Sequence, residues 1–263
     1  MPKKINKNRF LLVSGPCVLE DMRSALNIAV RVKDLCDELG WDYVFKASYD
    51  KANRTSLRGK RGPGLEKGLD ILAEISLRAG VQVLTDVHSI DDIEQAKHAV
   101  DAIQIPAFLC RQTDLILAAG ESGCTVNVKK GQFLAPEDVN QIAEKLLSTG
   151  CKDYYMTERG TTFGYHNLVV DMRGLAIMRE NGHRVIFDAT HSVQRPGSLG
   201  GATGGDGRLA PVLARAAMAA GIDGLFIETH PNPAKSPSDG ANMIPLAQLP
   251  AVLRKLAKIH EVL

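Results

Sequence analysis

Several common features are missing from this chain, and each absence removes a class of function. No segment approaches the ~20 consecutive apolar residues of a membrane-spanning helix. The opening stretch MPKKINKNRFLLVSGP has only a short apolar run before Ser14-Gly15-Pro16, too little for the core of a signal peptide. No charge surplus of note exists: the formal net charge is +2, so neither nucleic acid nor a membrane surface is expected as a partner. A locally basic pocket for an acidic small molecule stays open. The five cysteines (17, 36, 110, 124 and 151) are odd in number and scattered, with no C-x-x-C pair. That usage suits free thiols in a reducing cytoplasm. The Gly-rich stretch PGSLGGATGGDG (196–207) does not follow a strand-to-helix G-x-G-x-x-G pattern and is expected to be a mobile loop.

What is present is apolar material, 44% of the residues, and it recurs in short runs. FLLVSG (10–15), YVFKAS (43–48), VQVLTD (81–86), AIQIPA (102–107), TVNVKK (125–130), YYMTER (154–159), RVIFDAT (184–190) and GLFIETH (224–230) have strand character. Between them lie stretches with helical spacing, such as 23–40, 136–150 and 208–221, several closed by glycine. Alternating strands and helices imply a parallel sheet, and eight such units point to a (β/α)8 TIM barrel, an α/β fold, as one domain over residues 1–263. A doubly wound open sheet is the structural rival.

In a barrel, chemistry belongs at the carboxyl ends of the strands. There the sequence places Cys17 and Glu20, Lys46 and Ser48, Asp86 and His88, Gln104, Lys129 and Lys130, Glu158 and Arg159, Asp188 and His191, and Glu228 and His230. Such groups are costly to bury unless they pair with each other or with a ligand. Cys17, His191, Glu228 and Asp239 come from the ends of the first, seventh and eighth strands and the loop beyond. Ring closure would make them neighbours around a borderline divalent ion such as zinc or ferrous iron. Cys17 read alone is a small buried hydrophobe, and His88 or His230 could take the place of His191. Lys46 and Lys129 sit inside strand-like runs, where an unpaired ammonium is costly, so a multiply anionic substrate with phosphate is the simplest partner.

The ordered motifs GPCVLE, FKASYDKANRTS, TDVH, IQIPAFLCRQTDL, NVKKGQF, TERGTTFGYHNLVVDMRG, FDATHSVQRPG and GLFIETHPNP resemble those of the 3-deoxy-D-manno-octulosonate 8-phosphate synthase family over almost the whole chain. The resemblance implies a barrel, usually a homotetramer. It also implies an aldol-type condensation of phosphoenolpyruvate with arabinose 5-phosphate and water, towards the inner-core sugar of lipopolysaccharide. Cys17 stands where metal-dependent members carry cysteine and metal-independent ones asparagine. Cys17, His191, Glu228 and Asp239 are thereby implied to hold zinc or iron(II), with manganese, cobalt or cadmium as further candidates. One departure is SPSDGANMIPL, whose Asp-Gly step is more familiar from the metal-independent branch.

By the same resemblance, Lys46, Lys51, Gln104, Lys129, Arg159 and His191 line the phosphoenolpyruvate subsite, and Asn53, Arg54 and Thr55 hold the pentose phosphate. Lys46, Lys51, His191, Cys17 and Asp239 are the implied catalytic set. A neighbouring subunit is expected to supply Arg111 and a hydroxyl from Thr203. The nearest alternative is 3-deoxy-arabino-heptulosonate 7-phosphate synthase, which uses erythrose 4-phosphate and has Lys-Pro-Arg where this chain reads Lys-Ala-Asn-Arg. The amide of Asn53 can bond a hydroxyl of the longer sugar, which proline cannot. A Schiff-base aldolase using Lys46 or Lys129 and a non-catalytic sugar-phosphate binder are the remaining rivals.

Overall fold

A computed structural model describes residues 5–6, 8–52, 59, 61–198 and 203–263. Eight parallel strands form its centre: β1 (Leu11–Gly15), β2 (Asp42–Lys46), β3 (Gln82–Asp86), β4 (Ala102–Ile105), β5 (Thr125–Lys129), β6 (Tyr154–Glu158), β7 (Val185–Asp188) and β8 (Gly224–His230). Each pairs with the next, and β8 returns to β1 in register from Leu11 opposite Gly224 to Gly15 opposite Glu228. The ring is therefore closed, and the open-sheet rival is excluded. All eight runs expected to be strands are strands. Helices α1 (Met22–Leu39), α2 (Leu65–Ala79), α3 (Ile90–Ala96), α4 (Thr113–Glu121), α5 (Val139–Ser148), α6 (Arg173–Glu180), α7 (Ala210–Ala219) and α8 (Leu249–His260) follow the strands in turn.

Period-two alternation sorts the side chains into two cores. Leu11, Val13, Val44, Leu84, Ala102, Tyr155, Ile186 and Phe226 fill the barrel interior together with Ile5 from the segment before β1. The alternate residues, Leu12, Phe45, Val83, Ile103, Val126, Met156, Phe187 and Leu225, face the helices in a second, larger cluster. Continuing the inward series two residues at a time leads from Val44 to Lys46, from Leu84 to Asp86, from Ala102 to Gln104 and from Phe226 to Glu228. The interior thus changes from apolar to charged along its axis, and the charged end is the C-terminal mouth.

Gly15 at the end of β1 makes this mouth compact. A Cβ there would stand 2.1 Å from the carbonyl oxygen of Lys46, so only glycine lets β1 and β2 approach this closely. Two additions decorate the mouth. An antiparallel hairpin, Thr161–Gly164 with Asn167–Val169, turns through Tyr165 and His166, both at positive φ, as a right-twisted hairpin requires. Beyond β7, Gln194–Arg195 pairs with Gly204–Gly205. The described end of the Gly-rich stretch, expected to be a mobile loop, is tied into this two-stranded ladder.

Candidate active site

A cavity of about 700 Å3 opens at the C-terminal mouth, lined by side chains from seven of the eight strand ends or the loops beyond them. Its floor is a hydrogen-bonded polar layer. Thr157 donates to Asn127 (2.5 Å), Asn127 to Gln104 (2.8 Å), and Gln104 in turn to Asp86, which also accepts from Ser48. Asp86 is the hub of one side. Lys46 lies 3.4 Å and Lys51 3.9 Å from it, and despite burial these ammonium groups hold its carboxyl well below the usual carboxylate range. Lys46 is further fixed by Ser48 at 2.9 Å. Burial disfavours the charge on Lys51, but Cys17, Asp86, Glu228 and Asp239 around it more than offset that and raise its pKa.

Asp188 is the hub of the opposite side. It accepts from Lys129 at 2.5 Å and from the backbone and Nδ1 of His191 at 2.8 and 2.7 Å. His191 and Lys129 keep Asp188 ionised in spite of its burial. An ionised carboxylate only accepts, so Nδ1 of His191 is the donor in that bond and Asp188 fixes the direction of the ring. Nε2 faces Glu228 at 3.7 Å. Lys129 lies 3.3 Å from the centre of the Phe226 ring. Burial pushes its pKa down to about 8 against the pull of Asp188, with Lys46 and Arg159 adding to the depression. Arg159 donates to Gln194 at 2.5 Å and keeps a buried Nη1 with no partner among the described residues.

The expected metal ligands fall together. Ligand atoms of Cys17, Glu228 and Asp239 all lie within 4.8 Å of one another. Both carboxylate oxygens of Glu228 are buried with no hydrogen-bond donor among the described residues, although Lys46 is 3.8 Å away. An anion in that state calls for a cation, and a thiol beside two carboxylates suits a borderline divalent ion. The residues therefore fit the expected group. His191, the fourth residue of the expected set, is not part of this tightest group, but its ring is oriented through Nδ1 by Asp188 and its Nε2 lies 3.7 Å from Glu228. Asp239 sits in the left-handed region (φ 53°), held there by Ser238 (2.6 Å), Gln194 (2.7 Å) and Cys17 (3.1 Å). The thiol of Cys17 is itself raised far above its ordinary pKa, by burial and then by Glu228.

The DAHP synthetase I family pattern matches residues 3–263. The chain belongs to that family. Among curated proteins it is similar to the 2-dehydro-3-deoxyphosphooctonate aldolase of Granulibacter bethesdensis, 57% identical over 94% of this chain and 88% of the relative. The aldolases of the same name from Geotalea daltonii (52% identical, 98% of this chain, 96% of the relative) and Azoarcus sp. strain BH72 (54%, 95% and 90%) are comparably similar.

Of the residues singled out from the sequence, Lys46, Lys51, Gln104, Lys129, Arg159, His191, Thr203 and Asp239 line the cavity. Thr203, expected to serve a neighbouring subunit, lies on the cavity wall of its own chain. Arg111 does not: it is exposed on the turn before α4, outside the cavity wall. Asn53, Arg54 and Thr55 lie outside the described residues. Cys17 and Glu228 lie buried beneath the lining rather than on it. Sequence reasoning missed Gln132 and Gln194, both on the wall. Gln194 joins the two halves of the site, accepting from Arg159 with Oε1 and donating to Asp239 with Nε2. Its only signal was its place six residues after β7.

Proposed function

We propose that the chain condenses phosphoenolpyruvate with D-arabinose 5-phosphate and water, forming 3-deoxy-D-manno-octulosonate 8-phosphate and inorganic phosphate. The observation that carries this reading is the cavity itself, where Lys46, Lys51, Lys129 and Arg159 converge in a chain half-identical to proteins named for the octonate product. Two phosphates and a carboxylate bring nearly five negative charges, which a pocket of this composition can take up. Glutamine at 104 and 132 adds neutral donors and acceptors for hydroxyls.

C3 of phosphoenolpyruvate attacks the aldehyde carbon, water adds at C2, and phosphate leaves with cleavage of its C–O bond. Arg159, with one guanidinium nitrogen held by Gln194 and another without a partner among the described residues, binds the phosphate, aided by Lys129. Lys46 and Lys51, both beside Asp86, orient the carboxylate and offset charge developing on the aldehyde oxygen. Cys17, Glu228 and Asp239, with Nε2 of His191 beside them, would hold a divalent metal, zinc or iron(II) before manganese, cobalt or cadmium. Such an ion supplies Lewis acidity toward an aldehyde or water oxygen.

The deciding assay measures phosphate release from phosphoenolpyruvate with arabinose 5-phosphate or erythrose 4-phosphate, before and after chelation. Activity with the pentose phosphate alone, lost on chelation and restored by a divalent ion, is expected. Preference for the erythrose compound would assign the heptulosonate reaction instead. Indifference to chelation would remove the metal from the proposal while leaving the condensation. Borohydride with substrate should trap no adduct, in contrast to a Schiff-base aldolase. The outward position of Arg111 supports a homotetramer in which it serves a neighbour's site, and the five free cysteines support a cytoplasmic enzyme acting in lipopolysaccharide synthesis. Among the described residues no helix is long and apolar enough to cross a membrane.

A further inference from the structure

Next to the cavity lies a buried ion pair that the chemistry above does not use. Lys130 and Glu158 are 1% and 4% exposed, and Nζ of Lys130 lies 3.3 Å from Oε2 of Glu158. Neither residue lines the cavity, yet each is the immediate neighbour of a cation that does: Lys129 precedes Lys130, and Arg159 follows Glu158. We propose that the Lys130–Glu158 pair is a positioning clamp that fixes Lys129, Gln132 and Arg159 as an anion-binding group. This rests on the assignment of that group to phosphoenolpyruvate.

The reach of the two side chains supports a clamp. Besides Glu158, the Lys130 ammonium donates to the carbonyl of Leu134 (2.9 Å), closing the turn after β5, and to the hydroxyl of Thr161 (3.4 Å), at the start of the hairpin after β6. The second carboxylate oxygen of Glu158 accepts from the backbone of Gly160 at 2.6 Å, which bends the chain just beyond Arg159. Backbone bonds complete the tie: Lys130 donates to Thr157 (2.8 Å) and Thr162 to Gln132 (2.9 Å). One ammonium thus joins the loops that present Gln132 and Arg159. Two strand-end residues pointing into the barrel therefore owe their direction to two that point away from it. Stability is a poor reason for such a pair, since apolar side chains of similar volume commonly replace buried ion pairs without loss. Fixing a single arrangement of two loops is a role that apolar replacements would not fill.

The test compares K130M/E158Q with the parent by calorimetric melting and steady-state kinetics. Methionine keeps the stem volume, and the glutamine keeps an acceptor for Gly160. The double variant is expected to melt within a few degrees of the parent, while KM for phosphoenolpyruvate rises at least tenfold and KM for the pentose phosphate changes less than threefold. The inhibition constant of inorganic phosphate should rise with the former. K130R, which preserves the charge pair, should recover most of the loss. A folded double variant with an unchanged KM for phosphoenolpyruvate, or equal losses for both substrates, overturns the proposal. If the double variant does not fold, E158D, with both charges but a shorter reach, decides by the same two KM values. A parent that turns over no phosphoenolpyruvate would refute the proposed function, and the clamp would then be judged, and overturned if unchanged in the variants, by phosphate affinity alone.

Discussion

Replacing Glu228 by glutamine tests the metal centre without relying on turnover. In the metal-free protein the Glu228 carboxylate feels Lys46 at 3.8 Å and Asp239 within 4.8 Å. At an effective dielectric constant of about 20 these are worth about 4 kcal/mol of attraction and at least about 3 kcal/mol of repulsion. The Lys46 and Asp239 contributions nearly cancel, leaving the desolvation of a buried carboxylate that no donor among the described residues satisfies. Without metal, E228Q should therefore melt at or above the parent. With metal the order reverses. Free ion at about 100 times its dissociation constant stabilises the folded state by about 2.7 kcal/mol, or roughly 5–11 °C for a chain of this size. A variant binding 100-fold more weakly keeps only about 0.4 kcal/mol at that concentration, a shift of about 1–2 °C. The assay is scanning calorimetry of chelated, desalted protein with zinc, iron(II), manganese or cobalt added back. A full metal-induced shift in E228Q, or none in the parent with any of these ions, would refute the reasoning.

Three further outcomes follow from Lys129 and Gly15. Because Lys129 must be protonated to bind an anion and titrates near 8, kcat/KM for phosphoenolpyruvate should fall as pH rises through about 8, and K129R should move that limb upward. The same depression from 10.5 lets the unfolded chain bind the proton first, so this group's cost to stability is full below about pH 8 and fades between there and 10.5. G15A, which sets a methyl group against the carbonyl of Lys46, should lower stability by at least about 1–3 kcal/mol, read as a fall of several degrees in Tm, with glycine's neighbours otherwise intact.

The barrel was legible because its signals are local. Each of β1 to β8 appears as an apolar run of strand length, and the stretches between them carry helical spacing, so element type and order could be read one window at a time. The Thr161–Gly164 hairpin was not, since its residues are exposed and carry no apolar alternation to mark them. Lys46 and Lys129 declared themselves as charges inside apolar strands. Asp86 and Asp188 were visible at strand ends but without roles, because a carboxylate becomes a hub only when its cations are known. Gln194 was invisible as a bridge, its partners lying 35 and 45 residues away.

The sequence by itself determined which residues alternate inward along each strand, and hence that the C-terminal mouth would be charged, because side-chain direction in a strand repeats every two residues. Only the tertiary structure decided that Cys17 and Glu228, 211 positions apart in sequence, have ligand atoms 4.8 Å or less apart in space. That contact depends on β8 pairing with β1, a hydrogen-bond register between the two ends of the chain that no local pattern encodes.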